Sequence, residues 1–73
     1  MNVEIIGTNA GAVWTALSEA AATLDTKQIK KATKLKDKEL YAALGWLARE
    51  GKVDIQVNPD DEKDLLFALT QDK

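Results

Sequence analysis

The 73-residue sequence contains no cysteine and no histidine. Without thiols there is no disulfide staple, no thiolate zinc site and no cysteine nucleophile. Without imidazole the chain lacks the commonest general base and the commonest transition-metal ligand. Ser18 is the lone serine, beside Glu19, with no base to activate it. Gly7, Gly11, Gly45 and Gly51 are scattered, so there is no glycine-rich phosphate loop. Asp60, Asp61 and Asp64 lack the spacing and the mid-loop glycine of a calcium-binding loop, and no metal or cofactor is expected. An enzyme is disfavoured on all these counts; a binding or interaction module remains.

Further absences bear on location and size. No run approaches the roughly 20 apolar residues that span a bilayer. Met1-Asn2-Val3-Glu4-Ile5-Ile6 has neither the basic region nor the apolar stretch of a signal peptide. The chain therefore reads as cytoplasmic. It also reads as one complete domain over residues 1–73, too short to enclose a second interior and undivided by linker or repeat. An apolar fraction of 45% is enough for a core.

What is present is unevenly charged. The net charge of −2 averages a segment of −3 over residues 1–26, one of +5 over 27–38 and one of −4 over 39–73. Lys27, Lys30, Lys31, Lys34, Lys36 and Lys38 make up the basic block, opposed within it by Asp37 alone. Such asymmetry suits an anionic partner at one face.

Periodicity orders the rest. Residues 1–7 form a short apolar arm, with Thr8 or Asn9 as the cap of a first helix over about 9–22. Val13, Trp14, Leu17, Ala20 and Ala21 make its apolar stripe, and Trp14 is expected in the core. Thr26 caps a second helix over about 26–34, with Ile29 and Ala32 inward and Leu35 closing the next turn. Asp37, or failing that Lys36, caps a third over about 37–50, where Leu40, Tyr41, Leu44, Leu47 and Ala48 share a side. Gly51 stands where a left-handed helix terminator belongs. The period then falls to two. Val53, Ile55 and Val57 read as a half-buried strand, and Leu65, Phe67 and Leu69 as its partner across a loop at residues 58–63. A short strand at Leu24-Asp25 is placed to pair with this hairpin, the wing of about 52–70.

The order helix, helix, turn, helix, hairpin resembles the winged helix-turn-helix. Ile29-x-x-Ala32-x-x-Leu35 with Leu40 and Leu44 has the apolar spacing of the helix-turn-helix pair. Leu44-x-x-Leu47-x-x-x-Gly51-x-Val53 resembles the end of a recognition helix and the first wing strand. More narrowly, Ala10-Gly11-x-Val13-Trp14 with Ala43-Leu44-Gly45-Trp46-Leu47-Ala48-Arg49-Glu50 is similar to a family of small stand-alone bacterial winged-helix domains. The likeness spans Ala10 to Leu69. It implies a mainly α domain with a β-hairpin, double-stranded DNA as partner and a role in transcription.

In such proteins the third helix enters the major groove. At 100° per residue Lys38, Ala42, Gly45 and Arg49 lie opposite its apolar side. Lys27, Lys36, Lys38 and Arg49 are then the backbone contacts, and Ala42 faces the bases. Trp46 lies off the apolar side and either folds under the first helix or the N-terminal arm, or forms with Gly45 a shallow patch for a homodimer. The hairpin tip, Asp60-Asp61-Glu62-Lys63-Asp64, carries −3 and would be repelled by phosphate. That departure leaves a second reading open, a winged-helix protein-interaction module that does not use DNA.

Overall fold

Leu40, Ala43, Leu44 and Leu47 recur at helical spacing, and burying that stripe against a second helix organises the structure. A computed structural model describes residues 1–70. Its elements in chain order are α1 (Val3–Ala20), β1 (Leu24–Asp25), α2 (Thr26–Thr33), α3 (Asp37–Arg49), β2 (Val53–Asn58) and β3 (Asp61–Leu69). Ala10, Val13 and Leu17 of α1 face the α3 stripe, and Ile29, Val53 and Phe67 complete the buried core. The result is the winged helix-turn-helix architecture, three helices followed by a two-stranded wing that β1 extends to a three-stranded sheet.

The first helix starts earlier than its sequence suggests. Asn2 caps it, accepting the Ile5 N–H at 2.9 Å, so most of the expected arm at residues 1–7 is helical and Thr8 and Asn9 lie inside α1. Asn2 caps as well as either later candidate, and starting there adds further turns of backbone hydrogen bonding. Gly7 is a weak helix former, but α3 lies close by: a Cβ there would sit 3.9 Å from the Trp46 ring. Trp14 is 43% exposed rather than core, because the buried line runs through Ala10, Val13 and Leu17 and leaves it on the rim. Ala20 and Ala21 are exposed for the same reason, and Ala21 ends the helix in the left-handed region at φ 51°.

Asp25, not Thr26, caps α2. Pairing of Leu24 and Asp25 with Phe67 and Leu66 holds Asp25 extended at the start of the helix. Its carboxylate accepts the Gln28 N–H at 2.8 Å, and the Gln28 side chain accepts the Asp25 N–H at 2.9 Å. Ile29 is buried and Leu35 packs on the core, but Ala32 is exposed on the outer side of this short helix. Lys34 closes α2 with φ 61°. Lys36 then precedes α3 as its cap residue, its N–H donated to Glu39 at 2.9 Å; Asp37 is already helical. Tyr41 and Ala48, expected inward, are exposed on the flank of the stripe. Gly51 has φ 71°, the left-handed terminator its position implied.

The sheet has the order β1-β3-β2, antiparallel throughout. Phe67 pairs with Leu24 on one side and Ile55 on the other. Only the base of β2 is covered: Val53 is buried, whereas Ile55 and Val57 are 45% and 63% exposed. The expected half-buried strand is therefore half-buried only where helices reach it. The turn is also tighter than the acidic run suggested. Pro59 and Asp60 alone make it, and β3 already begins at Asp61. A register shift after Val57 displaces Glu62, Lys63 and Asp64 from regular pairing.

Asp64 leaves the tip to join the helices. It accepts the Thr26 hydroxyl at 2.7 Å and the Leu65 N–H at 2.7 Å. The Thr26 hydrogen bond, with that of Leu65 and the Lys27 charge behind it, holds its carboxyl below the usual range.

Two outcomes follow for stability. Ala21→Gly should stabilise the fold by about 1 kcal/mol in urea unfolding, since glycine relieves a left-handed alanine, and Gly51→Ala should cost a similar amount. A destabilising Ala21→Gly or a stabilising Gly51→Ala would contradict these helix ends. For Asp64 the folded carboxyl binds its proton less readily than the unfolded one, which titrates near about 3.9. Its contribution is therefore full above that value and is lost as pH falls through the lower folded one. Asp64→Asn should flatten the acid side of the stability profile, measured by urea midpoints. Equal acid-side slopes in both proteins would rule out the tie to Thr26.

Candidate nucleic-acid interface

The outward side of α3 is built by subtraction. Its stripe is spent on the core, which leaves Lys38, Ala42, Gly45 and Arg49 about half a turn away. Lys38, Gly45 and Arg49 are exposed and Ala42 is half-buried. Lys36 stands at the N-terminus of the same helix, also exposed. Thus four of the five residues expected to meet nucleic acid lie along one element. Lys27 does not: it opens α2, at the far end of that helix from the turn.

The lysines differ in what else they touch. Lys30 meets Asp37 at 2.5 Å, joining the last turn of α2 to the first residue of α3 across the turn. The hydrogen bond and charge of Asp37 raise the Lys30 pKa, so its cation is held locally. Among the described residues no other lysine makes an ion pair. Lys27, Lys31, Lys34, Lys36 and Lys38 are exposed, and Lys27 feels the Asp64 carboxylate across the start of α2. The sequence carries no local sign of the Thr26–Asp64 bond, which joins groups 38 positions apart.

Between its charged ends α3 is chemically bare. A Cβ at Gly45 would meet nothing within 4 Å, so the helix surface there is open to close approach. Ala42 has only a methyl group to offer a base edge. Trp46, beside Gly45, turns toward α1: it is 37% exposed and shares a groove with Gly7, Gly11, Trp14 and Lys52. The expected Gly45–Trp46 patch is therefore half occupied by packing of Trp46 over Gly7.

The wing tip remains acidic, though less uniformly than its composition implies. Asp61 accepts the Lys63 N–H at 3.0 Å and Asn58 the Asp60 N–H at 2.9 Å, both local turn bonds. With Asp64 drawn to Thr26, the carboxylates left at the tip are Asp60, Asp61 and Glu62, all exposed. Among the described residues no three such groups gather in a way that holds a metal ion. No helix there is long and apolar enough to cross a membrane.

Solved structures share the fold that carries this face. The PcaV transcriptional regulator from Streptomyces coelicolor superposes with a TM-score of 0.79 at 27% identity, over 86% of this chain and 46% of its own. The reduced form of MarR from E. coli gives 0.72 at 24% identity, over 86% and 45%. A mutant MarR from E. coli complexed with operator DNA gives 0.72 at 23%, over 92% and 54%. The two MarR likenesses concern the fold alone, and the chain spans about half the length of each of these proteins. No curated protein sequence matches it. Residues 1–69 match the family described as Winged helix-turn-helix domain (DUF2582), and the chain belongs to that family.

Proposed function

We propose that this protein binds double-stranded DNA through α2, the turn and α3, as a non-enzymatic transcriptional regulator of the cytoplasm. The observation that carries the reading is the clustering of Lys36, Lys38 and Arg49 with Ala42 and Gly45 on the exposed side of α3. Lys36 and Lys38 belong to the one basic segment of an acidic chain, and Arg49 adds a cation at the other end of the helix. The shared fold of PcaV, a transcriptional regulator, and of a MarR form complexed with operator DNA supports it.

In this reading α3 lies in the major groove, with its small residues against the base edges. Lys36 and Lys38 hold phosphates at its start and Arg49 one at its end, while Lys27 takes another from α2. Lys30 is excluded, since Asp37 occupies it. Affinity then comes mainly from charge, and base discrimination is weak because Ala42 and Gly45 supply no side-chain hydrogen bond. The wing tip turns away from the duplex, as Asp60, Asp61 and Glu62 require.

Fluorescence anisotropy with a mixed-sequence duplex over a salt series tests this. Four phosphate contacts give a slope of log affinity against log salt of roughly −3.6. Lys38→Ala and Arg49→Ala should each reduce its magnitude by about 1, and Lys30→Ala should leave it unchanged. No binding at low salt, or a slope that Lys30→Ala alone reduces, would overturn the proposal.

A further inference from the structure

The free edge of β2 carries a pattern that nothing else in the domain uses. β2 ends the sheet, and β3 covers only one side of it. The Thr70 N–H donates to the Lys52 carbonyl at 3.1 Å, which sets the phase of the ladder. In an antiparallel pair, residues that exchange hydrogen bonds alternate with residues that do not. With Lys52 bonded to Thr70, the register makes Asp54–Ala68 and Gln56–Leu66 the bonded pairs. Val53, Ile55 and Val57 therefore direct their N–H and C=O groups outward. The same three residues carry the apolar side chains of the strand.

We infer that β2 pairs antiparallel with β2 of a second copy of this chain, about a twofold axis at Ile55. In that register Ile55 faces itself, Val53 faces Val57 of the second copy, and every outward N–H and C=O of the three is satisfied. Neighbouring registers are worse. Centring on Asp54 sets two carboxylates opposite each other, and centring on Gln56 sets Val53 opposite Pro59, which has no N–H. The Ile55 register places Asp54 opposite Gln56 and Lys52 opposite Asn58. Lys52 then lies diagonal to Asp60 at the second copy's tip, so the acidic turn meets a cation rather than a phosphate.

The side chains agree with the backbone. An axis normal to the sheet keeps both apolar faces on one side. Ile55, Val57 and Leu65, exposed in one copy, then form a continuous strip with their equivalents. The exposed Trp14 lines a groove with Lys52 at the foot of β2, where the second copy's tip arrives. Between Val53 and Val57 the edge has no lysine, proline or bulge, and Asp54 is its one charge. Six residues of strand span only about 20 Å, so the pairing is of the weaker interface class.

Sedimentation equilibrium on the full chain tests the pairing over a series reaching about 1 mM, where a millimolar dimer is half formed. The expected weight-average mass climbs with concentration from the chain's 8.0 kDa toward twice that value. Ile55→Lys and Ile55→Glu should each remain at the single mass, and mixing them should restore the doubled one, because position 55 opposes itself. Ile55→Pro is a second probe. It removes an outward N–H and leaves the β2–β3 bonds intact, so it should halve the mass with an unchanged circular dichroism spectrum. A wild-type protein at 8.0 kDa throughout would overturn the inference. So would a dimer that survives Ile55→Lys but dissociates in Trp46→Ala, or lysine and glutamate variants that fold but do not associate. These readings need no DNA, so they stand or fall separately from the duplex titration.

Discussion

Phe67 is 1% exposed and is the residue at which sheet and helices are locked together. It sits between Leu24 and Ile55 in the central strand, and its ring lies in the same core as Ile29, Leu40 and Leu44. Because side chains alternate along a strand, a slip of one residue would expel it and bury a neighbour instead. Its burial therefore fixes the register of all three strands. That register brings Asp25 to the start of α2 as its cap, aims Asp64 at Thr26 and leaves Asp60, Asp61 and Glu62 at the tip. The charge distribution of the domain follows from one aromatic side chain being inside.

Once the frame is set, the charges divide by what they touch. Asp25, Glu39 and Asp64 satisfy N–H or hydroxyl donors at the ends of α2 and α3, and Asp37 holds Lys30 across the turn. These bonds are exposed or partly so, and each contributes modestly. Among them, the Lys30–Asp37 pair links the two helices directly. The lysines not used in this way, with Arg49, remain on the outside of α2, the turn and α3. A net charge of −2 thus coexists with a cationic face, because the acids nearest that face are engaged in capping and pairing. Among the described residues the other exposed acids are Asp54, Asp60, Asp61 and Glu62 on the wing, Glu4 and Glu19 on α1, and Glu50 at the end of α3.

Much of this was legible in residue order. The α3 stripe, the Gly51 terminator and the change of period at Val53 identify recognition helix and wing, because each is a local pattern backed by burial. The start of α1 was not legible. Val3, Ile5 and Ile6 are β-branched and Gly7 is a poor helix former, so local preference argues for an arm, while Asn2 capping and the approach of Trp46 decide for helix. Helical spacing alone placed Trp14 and Tyr41 inward. The core has room only for the smaller line through Ala10, Val13, Ala43 and Leu44. Alternation at Ile55 and Val57 was read as burial, yet a domain with three helices has nothing to lay over the outer wing. Of the candidate site, the α3 face was legible from 100° geometry. The engagement of Lys30 and Asp64 was not, since each partner is set by the tertiary frame.

The account rests on α2, the turn and α3 meeting DNA while the wing tip stays clear. Backbone amide shifts of the labelled protein, followed during titration with duplex, test that location directly. The account expects perturbations within residues 26–50, fading as salt is added, with residues 58–63 unmoved. Shifts centred on the tip, or none at all, would contradict it.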